Sequence, residues 1–186
     1  MLLFAAIEGV PVRRTEADDS LLLGTAAGDR DAFTQLYRLT AQSVYAYALS
    51  ILKNPADAED ALQDTFLKVR SAAHLYTPMG KPMAWMLTIT RNICLMKLRQ
   101  QRNLSCVPLD NRPDDWDRIT DLEDRLVLRT ALQVLTDQEC QIIVLHAVTG
   151  CKHREIAQQL GLPLSTVLSK YRRGLRKLQA ELEGML

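Results

Sequence analysis

The chain has 186 residues, of which 47% are hydrophobic, and its formal net charge is +1. This hydrophobic content excludes global disorder, and the length allows one good core or two small ones. So low a net charge argues at first against a nucleic-acid binder, but the charges are unevenly distributed. Residues 101–121 hold three Lys or Arg against five Asp or Glu, and residues 122–186 hold nine against seven. The sequence predicts an all-α protein in which an acidic linker joins two small helical domains.

The first seven residues are apolar, but no basic segment precedes them and they are too few to span a membrane. We therefore expect residues 1–17 to be a flexible leader or the product of a misassigned start codon. No membrane insertion is predicted.

Residues 18–100 are predicted to form four helices, with breaks at Gly28-Asp29 and Asn54-Pro55. One long amphipathic helix is indicated by Ala32, Phe33, Leu36, Tyr37, Val44, Tyr47, Ala48 and Ile51. The next helix is predicted to bury Ala58, Ala61, Leu62, Thr65, Phe66 and Val69.

That second helix carries a polar face formed by Asp57, Glu59, Asp60, Gln63 and Asp64. Acids in a first helical turn interact favourably with the helix dipole and occur in ordinary helices. The residues alone therefore favour this ordinary role over a binding surface.

A loop from Tyr76 to Pro82 and a further helix over residues 84–102 follow, and the last turns of that helix are basic. Its apolar stripe of Trp85, Ile89, Ile93 and Met96 is predicted to pack into the core. Candidates for polar contacts are Arg91, Asn92, Lys97 and Arg99. The next segment, residues 103–121, has no regular apolar period. Its prolines and five acids suit either an extended path or a simple spacer.

The end of the chain has the pattern of a DNA-binding helix-turn-helix. Thr136 and Glu139 have the spacing of a capping box, and the helix they begin should end near Gly150. A second helix closes at Gly161, and Pro163 suits the first turn of a third helix.

The third helix has an outward face of small hydroxyls followed by cations: Ser165, Thr166, Ser169, Lys170, Arg172, Arg173, Arg176 and Lys177. Hydroxyls near the start of a recognition helix can contact base edges, while cations further along can meet phosphates. The alternative is an amphipathic helix whose basic face is only solvated. The two preceding helices favour DNA binding.

The four cysteines form no close pair such as C-x-x-C, which favours a reducing cytoplasm over a secreted disulfide scaffold. Cys140, His146, Cys151 and His153 could be drawn as a zinc set. Structural zinc sites usually have tighter ligand pairs, so we expect no metal and no other cofactor.

The order of these segments resembles that of bacterial extracytoplasmic-function (ECF) sigma factors. The resemblance rests on Gly28-Asp29 with Ala32-Phe33, on the acidic segment 57–66, and on Ala84-Trp85 with Arg91-Asn92, followed by the helix-turn-helix. It covers nearly the whole chain. It implies that residues 18–102 are sigma region 2, that 103–121 are the linker near the RNA channel, and that 122–186 are region 4.

The resemblance also implies a role for each surface. Asp57, Glu59, Asp60, Gln63 and Asp64 would grip the clamp helices of the largest subunit of core RNA polymerase, whose beta and beta-prime subunits are the expected partners. The loop and the helix after it would open the promoter −10 element and hold an extruded base, with contacts from Lys81, Arg91, Asn92, Lys97 and Arg99. The third helix of region 4 would read the −35 element through its eight outward residues. Departures from the family pattern, such as Leu168 and Lys152, leave the promoter sequence open.

No nucleotide-binding loop and no catalytic constellation is found in the sequence. The expected function is that of a cytoplasmic sigma factor with no catalytic activity and no small-molecule substrate. The sequence leaves open whether a cognate anti-sigma factor exists. Two alternatives are a helix-turn-helix regulator that binds an operator as a dimer, and an inactive sigma-like decoy that binds polymerase without opening DNA.

Overall fold

A computed structural model of the chain describes residues 17–103 and 122–184. These residues form two compact units, one on each side of the linker. Their secondary structure consists of eight α-helices and one short 3₁₀ turn, without a strand. The predicted all-α fold with two small helical units is therefore confirmed for this part of the chain. The predictions for the leader and for the linker beyond Asn103 lie outside the described residues.

The first unit contains four α-helices: α1 (Asp19–Ala26), α2 (Arg30–Leu52), α3 (Pro55–Ala72) and, after a 3₁₀ turn at Ala73–Leu75, α4 (Pro82–Asn103). Both predicted breaks are helix starts. The Asp29 side chain caps α2 and the Asn54 side chain caps α3, each by accepting backbone amide hydrogen bonds. Pro55 then occupies the start of α3, where its missing N–H breaks no helical bond.

The centre of the first unit is α2, which packs against α1, α3 and α4. Only its first half is amphipathic as predicted, because every residue from Ser43 to Leu52 is buried. All six predicted core residues of α3 are buried. Among them, Phe66 meets the rings of Phe33 and Tyr37 at centroid distances of 6.2 and 4.7 Å. Burial of a side chain of this size contributes roughly 1.5–3 kcal/mol.

The predicted packing stripe of α4 is wrong. The buried residues of this helix are Pro82, Met83, Met86, Leu87, Thr90 and Cys94. Trp85, Ile89 and Ile93 are only half-buried, and Met96 is 51% exposed. The helix carries apolar residues on two faces. Packing against α2 and α3 buries the face of Met86 and Thr90, and not the predicted face of Trp85 and Ile89.

The second unit contains α5 (Leu122–Val134), α6 (Asp137–Ala147), α7 (His153–Leu160) and α8 (Leu164–Glu183), and α8 packs against the other three. The predicted capping box is confirmed: Thr136 Oγ1 accepts from the Glu139 amide, and Glu139 Oε2 accepts from the Thr136 amide at 3.1 Å. Gly161 ends α7 with φ +66°, as predicted. Pro163 lies one residue before α8 and not inside its first turn.

Helices α6 and α8 approach each other closely at Gly174. A Cβ atom added there would lie 2.6 Å from Cδ1 of Ile143, so a larger residue would force the Ile143 side chain to move. Among the described residues, no helix is both long and apolar enough to cross a bilayer.

Candidate functional site

The acidic surface of α3, which we define as Asp57, Glu59, Asp60, Gln63 and Asp64, lies at the N-terminal half of that helix. Asp60, Gln63 and Asp64 are exposed, whereas Asp57 and Glu59 are half-buried. The side chains of Asp60 and Asp64 are 66% and 50% exposed. The surface can therefore offer carboxylates to a basic partner.

Helix α4 borders this acidic surface with Lys97 and Gln101. Nζ of Lys97 lies 3.7 Å from Oδ2 of Asp60 and 3.4 Å from Oδ2 of Asp64. Nε2 of Gln101 donates a hydrogen bond to Oδ2 of Asp57 at 2.9 Å. Lys97 and Gln101 follow Thr90 and Cys94 at helical spacing, so they continue the buried stripe of α4 toward α3. The structure thus places Lys97 against the acidic surface, although the sequence suggested a contact with the −10 element.

Leu67 adds an apolar side chain next to the acidic surface. It lies three residues beyond Asp64 on α3 and is 66% exposed. Leu67 was not among the predicted site residues, although a signal was available because it falls outside the apolar period of the helix. A leucine at this position adds apolar area that a protein partner could bury together with the acids.

The loop between Tyr76 and Pro82 is anchored to the first turn of α1. The Tyr76 hydroxyl donates to Oδ1 of Asp19 at 2.5 Å, and the Gly80 amide donates to Oδ2 of the same carboxylate at 2.8 Å. Burial and the bond to Asp19 raise the pKa of Tyr76. The Tyr76 ring also packs against Trp85 at a centroid distance of 5.4 Å. Sequence reasoning missed Asp19, which has no local signal for this contact.

The other residues predicted to contact the −10 element lie on or before α4. Lys81, Asn92 and Arg99 are exposed, and Arg91 is half-buried. Asn92 and Arg99 are seven residues apart and so share a face of the helix, away from the buried stripe. The structure therefore groups Asn92 with Arg99 and separates both from Lys97.

The predicted recognition helix is α8, and its outward residues all reach the surface of the second unit. Ser165, Ser169, Arg172, Arg173 and Arg176 are exposed, and Thr166, Lys170 and Lys177 are half-buried. Residues 164–180 contain no Asp or Glu. This helix can thus present hydroxyls and cations to a nucleic acid without repulsion from acids of its own.

Two of these cations are paired with a buried acid on α6. Nζ of Lys177 lies 2.8 Å from Oε2 of Glu139, and Nε of Arg173 lies 3.6 Å from Oε1. The Glu139 side chain is only 2% exposed. Burial opposes its ionisation, but the bonds from Lys177 and Thr136 outweigh that effect and hold the pKa of Glu139 below its ordinary value. The pairing fixes α8 against α6.

The four residues that could be drawn as a zinc set form a pair of stacked histidine rings and two buried thiols. The His146 ring stacks on His153 at a centroid distance of 4.3 Å, and Tyr171 of α8 closes the cluster edge-on. Nδ1 of His146 lies 2.9 Å from the carbonyl oxygen of Cys151. Within residues 17–103 and 122–184, no three His, Cys, Asp or Glu side chains are grouped so that they could hold a metal ion.

Each of the two units matches a known protein family. Residues 36–104 match the family described as sigma-70 region 2, and residues 125–178 match sigma-70 region 4. The ECF RNA polymerase sigma factor SigM of Mycobacterium tuberculosis is 30% identical over 174 residues, which cover 94% of this chain and 88% of that protein. The ECF sigma factor SigK of a Mycobacterium species is 29% identical over 170 residues, with 87% of this chain and 88% of SigK covered.

Solved structures with the same fold include CnrH in complex with the cytosolic domain of CnrY. It has a TM-score of 0.63 and 25% identity and covers 91% of this chain and 99% of CnrH. The sigma factor RpoE of Bartonella quintana, solved with the anti-sigma factor NepR, has a TM-score of 0.62 and 24% identity, with 81% and 96% of the two chains covered. The chain belongs to the ECF sigma factors of RNA polymerase.

Proposed function

We propose that this protein docks on core RNA polymerase through the acidic surface of α3 and reads promoter DNA with α4, the preceding loop and α8. As an ECF sigma factor, it directs initiation to particular promoters. Polymerase performs the chemistry, and the protein itself supplies no catalytic step. It acts in the cytoplasm, where polymerase and promoters are found.

Residues 18–102 form the docking and −10 unit in this proposal, and residues 122–186 form the −35 unit, with 103–121 as the linker. Docking is assigned to Asp57, Glu59, Asp60, Gln63 and Asp64. The exposure of Asp60 and Asp64 and the neighbouring exposed Leu67 support this assignment.

The −10 contacts are assigned to Lys81 in the loop and to Arg91, Asn92 and Arg99 on α4. Asn92 and Arg99 share an exposed face, which supports their action on the same strand of DNA. Lys97 is assigned to the border of the acidic surface instead, because two carboxylates of α3 lie within 4 Å of its Nζ atom.

The −35 contacts are assigned to α8. Ser165, Thr166, Ser169, Lys170 and Arg173 are the proposed base readers, and Arg172, Arg176 and Lys177 position the helix on phosphates. The shape of the unit supports this role, because α7 and α8 are joined by a short turn at Gly161 and the outward face of α8 is accessible.

The observation that carries the proposal is the separation of charge between the two units. An exposed acidic surface lies on α3 of the first unit, and an acid-free basic helix face lies on α8 of the second. The test is run-off transcription sequencing on host genomic DNA, with core polymerase alone and with core plus the purified protein. New start sites that share −35 and −10 motifs are expected. DNA binding without new starts would instead indicate a regulator or a decoy.

An anti-sigma factor is proposed as a second protein partner. The support is that RpoE was solved with an anti-sigma factor and that CnrH was solved with the cytosolic domain of CnrY. Purified full-length protein can be used to capture host proteins, and each captured protein can be tested for inhibition of core binding. No inhibitor among them would remove this part of the proposal.

A further inference from the structure

We propose that Asp19 is a positioning residue that holds the loop of residues 77–81 ready to capture a promoter base. This inference rests on the proposed role of the loop at the −10 element. Asp19 is the first residue of α1, and no local pattern connects it with DNA. Its two carboxylate oxygens accept hydrogen bonds from Tyr76, just before the loop, and from Gly80 within it, 57 and 61 residues further along the chain.

The two bonds span the loop from its start almost to its end. Oδ1 of Asp19 holds the hydroxyl of Tyr76, just before the loop, and Oδ2 holds the amide of Gly80, near its end. Gly80 adopts φ +67°, a left-handed conformation that strains other residues. Tyr76 and Pro82 are buried, so the loop leaves and re-enters the packed unit at fixed points.

The loop between the buried residues Tyr76 and Pro82 is exposed to solvent. Residues 77–81 are all exposed, and Met79 at the tip is 72% exposed. Hydrogen bonds to a carboxylate are stronger than neutral ones, and each ordered residue costs conformational entropy. A loop that is already ordered before binding avoids that cost when DNA arrives, and it also resists adapting to a wrong base.

The neighbouring acid provides a matched control. Asp18 caps α1 by accepting from the Ser20 amide at 2.9 Å, whereas the carboxylate of Asp19 accepts hydrogen bonds from Tyr76 and Gly80. Asn caps helices about as well as Asp. Asp18→Asn therefore removes the same charge one residue away from Asp19 and keeps the helix cap.

The experiment uses holoenzyme assembled from core polymerase and the full chain. Single-stranded oligonucleotides carry the non-template −10 sequence found by run-off sequencing, with each of the four bases at every position. For Asp19→Asn we expect roughly tenfold weaker binding of the preferred base and a smaller ratio between preferred and other bases. Asp18→Asn should stay within about twofold of the parent on the same measure. Core affinity and binding to −35 duplex should be unchanged in both variants.

Tyr76→Phe is the second test. It removes the hydrogen bond from the Tyr76 hydroxyl to Asp19 and keeps the aromatic ring against Trp85. Its effect and that of Asp19→Asn should be non-additive, whereas Tyr76→Phe and Asp18→Asn should add. The Gly80 amide should exchange faster in Asp19→Asn, because a neutral amide oxygen is a weaker acceptor than a carboxylate, and should keep the parent's rate in Asp18→Asn.

Replacement of residues 77–81 by a Gly-Ser segment of equal length distinguishes a failure of the loop's proposed function from a failure of the positioning role of Asp19. If base discrimination survives this replacement, the loop is not the base reader and its proposed function fails. If the replacement abolishes discrimination but Asp19→Asn behaves like Asp18→Asn, the positioning role of Asp19 is overturned. A loss of core affinity in Asp19→Asn equal to its loss of −10 binding would show a general folding effect and would also overturn it.

Discussion

Nζ of Lys177 donates a hydrogen bond to Oε2 of Glu139 at 2.8 Å, which ties the proposed recognition helix α8 to the first turn of α6. The same oxygen accepts from the backbone amide of Thr136, so one buried carboxylate caps α6 and holds α8. Arg173 approaches the other oxygen at 3.6 Å. The angle at which α8 is presented to DNA therefore depends on an acid of α6, two helices earlier in the chain.

Glu139→Gln is expected to weaken this attachment. Gln can still complete a capping box, but Lys177 loses its anionic partner. We expect the second unit to lose about 1–3 kcal/mol of stability, toward the lower end because Lys177 is 36% exposed. Hydrogen exchange of α8 amides and affinity for −35 duplex measure the effect. Glu181→Gln, an exposed acid at the end of α8, is the charge-matched control. Equal exchange rates in both variants would contradict the prediction.

Features set by neighbouring residues were predictable from the sequence. The capping box of Thr136 and Glu139 and the break at Asn54-Pro55 each depend on residues within one helical turn, and both are present. The core face of α3 was also predicted correctly, because its apolar residues follow a single stripe.

Features set by tertiary contacts were not predictable. Helix α4 has apolar residues on two faces, and its partners, not its period, bury Met86 and leave Trp85 half-exposed. The bond from Tyr76 to Asp19 joins residues 57 apart, and the bond from Lys177 to Glu139 joins residues 38 apart. From its residue type alone, Lys177 was predicted to contact DNA, and nothing in the sequence indicated its buried partner Glu139.

Arg173 and Arg176 are expected to behave differently when truncated. Arg173→Ala should lose about 1–3 kcal/mol of discrimination at one −35 base, as expected for a groove contact. Arg176→Ala should weaken all sequences alike and reduce the salt slope of binding by about one. Duplex titrations at several salt concentrations, with each −35 base varied, measure both quantities. The same uniform loss in both variants would show that Arg173 does not read a base.

Asp64→Arg is expected to reduce affinity for core polymerase by roughly tenfold or more, because like charges placed across an interface repel. The new guanidinium would also lie close to Lys97, whose Nζ is 3.4 Å from the present carboxylate. Asp31→Arg makes the same charge change at an exposed position on α2 and serves as the control. Titration of labelled core measures the affinity. Unchanged affinity in Asp64→Arg would remove the docking assignment.

Lys97→Ala is expected to change polymerase association and to leave −10 discrimination intact. Without the Lys97 ammonium group, the negative charges of Asp60 and Asp64 are no longer partly neutralised. Association with a basic surface should therefore be about two- to fivefold faster at low salt. Stopped-flow association with core and the −10 oligonucleotide assay measure the two effects. Arg99→Ala is the comparison variant and should show the opposite pattern. If Lys97→Ala loses discrimination as Arg99→Ala does, Lys97 contacts DNA after all.

The stacked rings of His146 and His153 make the second unit sensitive to acid. Burial lowers the pKa of His153, and the nearby charges of His146 and Arg172 lower it further. Nε2 of His153 is buried without a hydrogen-bond partner among the described residues. Tyr171 covers the same ring from α8. A proton on His153 would therefore be poorly solvated and close to other positive charge.

The free energy of unfolding of the second unit should fall as the pH drops through the ordinary His pKa of about 6.5. In that window the unfolded chain binds a proton that folded His153 does not, so stability rises with pH and is complete above the unfolded pKa. His153→Phe keeps the ring stack but cannot bind a proton, and it should flatten the dependence. Hydrogen exchange of α7 and α8 amides in the full chain at pH 5.5 and pH 8, corrected for intrinsic rates, measures it. His74→Gln, in the first unit, should keep the parent's acid sensitivity. An equally steep loss in His153→Phe would assign the sensitivity to another group.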